Sequence, residues 1–146
     1  MAIVAACYLW RNNIFAAPTA RMERGPYLET TPVRIAALDV HRDVGTIVEE
    51  ALNASGGVIP KSSLVNRPWP TAEASGAKSQ REFLKGLRHC EIERTDDSYV
   101  ITPLRPSTGE NFEDDPDNAL TLPRPASIAD LGENVARVLS QCRAHA

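Results

Sequence analysis

Aromatic residues make up only 5% of this 146-residue chain, its three cysteines form no C-x-x-C pair, and no glycine-rich phosphate loop is present. Each shortage removes a class of function. Few rings leave little to stack the bases of a single strand, and a net charge of -3 has the wrong sign for a surface that neutralises phosphates throughout. Neither G-x-G-x-x-G nor G-x-x-x-x-G-K-[ST] occurs, so Gly56 and Gly57 are no nucleotide cradle. Cys7, Cys90 and Cys142 are an odd set, each inside an apolar periodic segment, and they read as reduced, buried and inert. A metal site needs a local cysteine or histidine cluster, and none is written here, so no metal and no cofactor is expected. The apolar opening MAIVAACYLW has no basic start and meets Arg11 after ten residues, which suits neither a signal peptide nor a membrane span. The expected location is the cytoplasm.

Catalytic constellations are equally scarce. His41, His89 and His145 are the only histidines, and only His89 has a possible nucleophile, Cys90, beside it. Neighbours along a strand point to opposite faces, which argues against a dyad. The carboxylate pairs Glu49 and Glu50, and Glu91 and Glu93, come with no pocket signature and read as solvated. No catalytic residue is assigned.

What is present is a globular composition, 42% apolar and 24% charged, with 11 prolines that point to long connections. A chain of this length suits one domain over residues 1–146 and can bury about two thirds of its unfolded surface. Ile3 to Trp10, a turn at Arg11 to Asn13, and Ile14 to Ala17 before Pro18 read as a hairpin. Tyr27 to Thr30 extends, and Val33, Ile35 and Ala37 alternate against Arg34. Val44, Ile47, Val48, Ala51 and Leu52 then fall at helical spacing, stopped by Gly56 and Gly57 through positive-φ capping. Val58 to Ala77 has no sustained period and reads as a long loop with room for one helical turn.

Ser79 and Glu82 form a capping box before Phe83, Leu84 and Leu87. The period then drops to two: Cys90 and Ile92 alternate with Glu91 and Glu93, Thr95 to Ser98 turns, and Tyr99 to Leu104 returns. A second connection from Arg105 to Asn118 leads to a strand at Ala119 to Leu122. A closing helix from Ser127 carries Ile128, Leu131, Val135, Val138, Leu139 and Cys142 as its stripe. Strands in runs followed by helices predict an α+β fold, an antiparallel sheet of about five to six strands with helices packed mainly on one face.

Charge is segregated along the chain. Of 19 acids and 16 bases, nine acids and two bases fall between His89 and Asp117, which leaves ten acids and fourteen bases elsewhere. The acids are Glu91, Glu93, Asp96, Asp97, Glu110, Glu113, Asp114, Asp115 and Asp117. They are either a solvated hairpin and loop or a negative surface for a basic partner such as a nuclease. Trp69, in RPWP, is either folded over the core or exposed as an anchor, and its burial in the free protein separates the two.

The string K-S, F-x-K-G, C-E-I-E and V-x-x-P resembles a block of the immunity proteins of contact-dependent growth inhibition (CDI) systems. It is carried here by Lys78, Ser79, Phe83, Lys85, Gly86, Cys90, Glu91, Ile92, Glu93, Val100 and Pro103. Thr121 to Pro123, followed by S-x-x-D-L-G at Ser127 to Gly132, is similar to the family's C-terminal end. The resemblance follows the order of elements along the whole chain and is specific from about Lys78 onward, while Gly56 to Ala77 departs from it. It implies a cytoplasmic, non-enzymatic binder: a monomer that joins the C-terminal domain of one cognate toxin in a one-to-one heterodimer, with no direct contact to nucleic acid or membrane. The alternatives are a small adaptor for another macromolecule, and an enzyme whose pocket is assembled from scattered groups such as Cys90, His89 and Glu93. A deep pocket with a strongly perturbed titrating group would favour the enzyme.

Overall fold

The computed structural model describes residues 2–22, 27–59 and 68–146. The break expected at Gly25 and Pro26, and the stretch 60–67 of the expected long loop, lie outside the described residues. The hairpin forms as read, with β1 (Ile3–Trp10) and β2 (Asn13–Met22) joined by Arg11 and Asn12, both in the left-handed region at φ 50° and 63°. That pair of positive φ values gives a two-residue turn whose twist matches that of the strands.

β2 does not stop at Pro18. The Pro18 carbonyl accepts from the Thr30 amide at 2.8 Å, so the amide that proline lacks would also lie on that edge. There β4 (Arg34–Ala37) ends opposite Ala16 and β3 (Tyr27–Glu29) begins opposite Thr19, so the ladder loses nothing to the ring. Beyond Pro18 the strand leaves β1 and pairs with β3 and, in parallel, with β5 (Gly57–Ile59).

The spine of the sheet runs β3, β2, β1, β6 (Arg88–Arg94), β7 (Ser98–Pro106) and β8 (Phe112–Asp114), with β4 and β5 also on β2 and β9 (Leu120–Pro123) on β7. The class is α+β as expected, with nine described strands where the sequence predicts about five to six. Two of the extra ones, β5 and β8, are three-residue pieces inside the expected loops, too short for a period to show.

Two long helices, α1 (His41–Asn53) and α4 (Ile128–Gln141), cover one face. Val44, Val48, Leu52, Leu131, Val135 and Leu139 pack there against Cys7, Ile14, Cys90, Ile92 and Ile101, burial that supplies the largest favourable share of folding energy. The Ser127 hydroxyl caps α4 by accepting from the Asp130 amide at 3.0 Å. Ile128, expected in the stripe, is 38% exposed at the helix start. α1 ends on Ala54 in ordinary helical geometry; Gly56 alone has positive φ, and Gly57 begins β5, which corrects the paired glycine stop.

The second face carries two short helices, α2 (Pro70–Ser75) and α3 (Gln80–Leu84). At α3 the Ser79 hydroxyl accepts from the Glu82 amide at 3.1 Å. The Glu82 carboxylate takes the Lys78 amide at 2.6 Å rather than that of Ser79, a capping box shifted outward by one residue. Phe83, Leu84 and Leu87 are buried against Tyr8, Trp10 and Phe15. Ile35 lies opposite Phe15 on this face but on edge strand β4, where it is 49% exposed, while Ala36 is buried; of the expected inward set Val33 packs against this cluster and Ile35 does not. Among the described helices none is long and apolar enough to cross a membrane.

Candidate functional site

Strand pairing arranges the second face in rows. Tyr8, His89, Leu104 and Asp114 stand side by side across β1, β6, β7 and β8; Ala6, Glu91 and Thr102 form the next row, and Val4, Glu93 and Val100 the one after. α2, α3 and Trp69 cover the Tyr8 end, whereas Glu93 is exposed. Between cover and open sheet lies a cavity of about 490 Å3, lined by Val4, Ala6, Tyr8, Glu29, Trp69 and Glu91 among others.

Glu29 ties its walls together. Its carboxylate accepts from the Tyr8 hydroxyl, from the Thr71 hydroxyl, and from Trp69 Nε1 at 2.9 Å. These donors come from β1, the start of α2 and the residue before it, so one carboxylate joins β3 to segments more than twenty residues away on either side. Burial, then the Glu29 charge, pushes the Tyr8 phenol well above its ordinary pKa, so it stays a donor. Trp69 meets Tyr8 and Phe83 edge-on, with ring centroids 5.7 and 4.9 Å away. It is half-buried, folded over the aromatic cluster while lining the cavity.

From sequence His89 is a poor partner for Cys90 and one of the scattered groups from which an enzyme pocket would have to be assembled. The two do face opposite ways, but His89 is 8% exposed, stacked on Tyr8 at 4.1 Å and met edge-on by Phe112 at 5.3 Å. Neither ring nitrogen has a hydrogen-bond partner among the described residues. Burial lowers its pKa from 6.5 to about 3, which keeps the imidazole neutral. Glu91, two residues on and on the same face, is half-buried, and its pKa is raised by burial and then by the nearby charges of Asp114 and Glu93.

The structure therefore brings Glu91, Glu93 and Asp114 together and disperses the other sequence candidates. Asp96 and Asp97 sit exposed in the β6–β7 turn. Glu110 accepts from Gln80 at 3.1 Å, Glu113 pairs with Arg105 at 2.9 Å with both side chains about half exposed, and Asp115 accepts from Asn118 at 2.8 Å. Asp117 lies exposed in a single 3-10 turn, Pro116–Asn118. Tyr8, Glu29 and Thr71 carry no signal of a site in the sequence, because hydrogen bonds spanning 21 and 42 positions leave no local pattern.

Cys7 and Cys90 stand opposite each other on β1 and β6 under the long helices, and Cys142 donates to the His89 carbonyl at 3.4 Å. All three are free and buried. Burial raises the Cys90 and Cys142 thiols, the latter to about 11, so neither is an activated nucleophile. Among the described residues no group of histidine, cysteine and carboxylate side chains could hold a metal ion.

Residues 70–142 match the family model described as CDI immunity protein. No curated protein matches the sequence. Solved structures share the fold, two of them as follows. One is a protein of unknown function from Neisseria meningitidis, at TM-score 0.78 and 19% identity over 98% of this chain and 96% of that one. The other is a chain of a CdiA-CT/CdiI toxin and immunity complex from Yersinia pseudotuberculosis, at TM-score 0.74 and 17% identity over 97% of this chain and 98% of that one.

Proposed function

The chain belongs to the CDI immunity protein family, and from that premise we propose that it binds the C-terminal toxin domain of one cognate system and neutralises it by occupancy, with no catalysis of its own. The observation that carries this reading is the family match over residues 70–142, which contains the β6–β7 hairpin and α4. The fold shared with a chain of a toxin and immunity complex supports a protein partner. The complex is one-to-one and forms in the cytoplasm.

In this proposal the toxin is a nuclease and the contact surface is acidic. Nucleases hold phosphate with positive charge, and an inhibitor that offers carboxylates gains steering toward that charge and blocks it. The residues assigned to the surface are Glu91, Glu93, Asp96, Asp97, Glu110, Glu113, Asp114, Asp115 and Asp117, with Trp69 at its margin. The grouping of Glu91, Glu93 and Asp114 on one face supports that assignment.

Co-expression with the toxin domain encoded by the neighbouring upstream gene tests the reading. Growth rescue and recovery of both chains in one complex are expected. Continued toxicity with no complex would overturn it.

A further inference from the structure

We infer that the cavity on the second face receives the guanidinium of an arginine presented by the toxin domain, held by the Glu91 carboxylate against the rings of Tyr8, Tyr27 and Trp69. This inference rests on the immunity reading above. The described lining of the cavity includes Glu91 and contains neither lysine nor arginine. Glu29 is engaged by three donors. Among the described residues Glu91 has no hydrogen-bond or ion-pair partner, and its charge is opposed by Asp114 and Glu93 rather than offset.

A half-buried carboxylate without a partner weakens the free protein, and a bound cation removes that penalty. His89 adds a second such group on the same face, buried with both nitrogens unpartnered. Buried polar groups left unmet are uncommon in folded chains, and two neighbours of this kind beside one cavity mark a place where stability has been given up for binding. The rings select the cation. Guanidinium is planar, weakly hydrated and stacks on aromatic faces, whereas an ammonium holds its water and offers no plane. Tyr8, Tyr27 and Trp69 all line the cavity, and Tyr27 is 46% exposed.

The test uses the full chain and two readouts. Glu91→Gln keeps shape and removes the repelled charge, so it should fold at least as stably as the parent while its affinity for the toxin domain falls tenfold or more. An affinity within twofold of the parent would overturn the inference and leave the immunity reading intact. If the parent itself does not bind the toxin domain, it is the immunity reading that fails.

The second readout is independent of the toxin. N-acetyl-arginine methylamide is titrated into the free protein while the His89 and Tyr8 ring resonances are followed by NMR. Saturable shifts are expected, absent with the citrulline counterpart and absent in Glu91→Gln. No shift with arginine, or equal shifts with citrulline, would overturn the assignment of the cavity to a guanidinium.

Discussion

Gly45 of α1 and Gly132 of α4 meet backbone against backbone. A Cβ on Gly132 would lie 1.7 Å from the His41 carbonyl oxygen and 2.6 Å from the Gly45 amide nitrogen, and one on Gly45 would lie 1.9 Å from the Ile128 carbonyl oxygen. The helices cannot hold this crossing with any larger residue at either site. Alanine favours a helix over glycine by about 1 kcal/mol. Separating the helices costs more, because Val44, Val48, Leu131 and Val135 would lose their packing. Gly132→Ala is therefore expected to destabilise the fold by about 3 kcal/mol, read as a lower urea midpoint at unchanged slope.

His89 makes stability depend on pH. Burial holds its folded-state pKa near 3, while the unfolded chain takes up that proton near 6.5. Between those values the folded state binds fewer protons, so this contribution is complete above about pH 6.5 and is lost progressively as the pH falls toward about 3. From pH 7 to pH 5 the expected loss is about 2 kcal/mol. Glu91, with its raised pKa, works in the opposite direction, so the informative quantity is the difference from His89→Phe, which keeps the ring against Tyr8 and Phe112. Urea unfolding at the two pH values should show the dependence reduced in the variant.

Glu29 is expected to hold the second-face cover in place. Glu29→Ala leaves Tyr8, Trp69 and Thr71 without their shared acceptor and is expected to cost about 3 kcal/mol. With Trp10 replaced by phenylalanine so that one tryptophan reports, the emission of Trp69 should move to longer wavelength as its ring gains water. Unchanged emission and stability would contradict this role.

Much of this fold can be read from residue order. Ser79 and Glu82 mark a helix start, the switch to period two at Cys90 marks β6, and the Ser127 stripe marks α4, because each depends on contacts within a few residues. Pro18 misleads: whether it ends a strand depends on which neighbour lies across that edge, and only the pairing of β3 and β4 decides it. Gly56 to Ala77 hides β5 for the same reason, since three residues that pair with β2 need no period of their own. The site is least legible. Glu91 is one acid among nine in its segment until the sheet places it in a cavity, and Glu29 lies outside that segment altogether.

Neutralising Glu113, Asp114, Asp115 and Asp117 to their amides should slow association with the toxin domain several-fold at low salt and leave dissociation nearly unchanged. The Arg105–Glu113 pair is exposed and contributes little to the fold, so the variant should remain folded. Steering of this kind is screened within about 10 Å at 0.1 M salt, and the difference should shrink as salt is added. Stopped-flow association rates at two ionic strengths check it, and equal rates at low salt would rule out steering by these four carboxylates.

Titration calorimetry of the chain against its cognate toxin domain tests the central claim most directly. A protector that must silence a lethal domain is expected to bind one-to-one with a dissociation constant near or below 1 nM, roughly -12 kcal/mol. A micromolar constant, or no heat of binding, would contradict the immunity function.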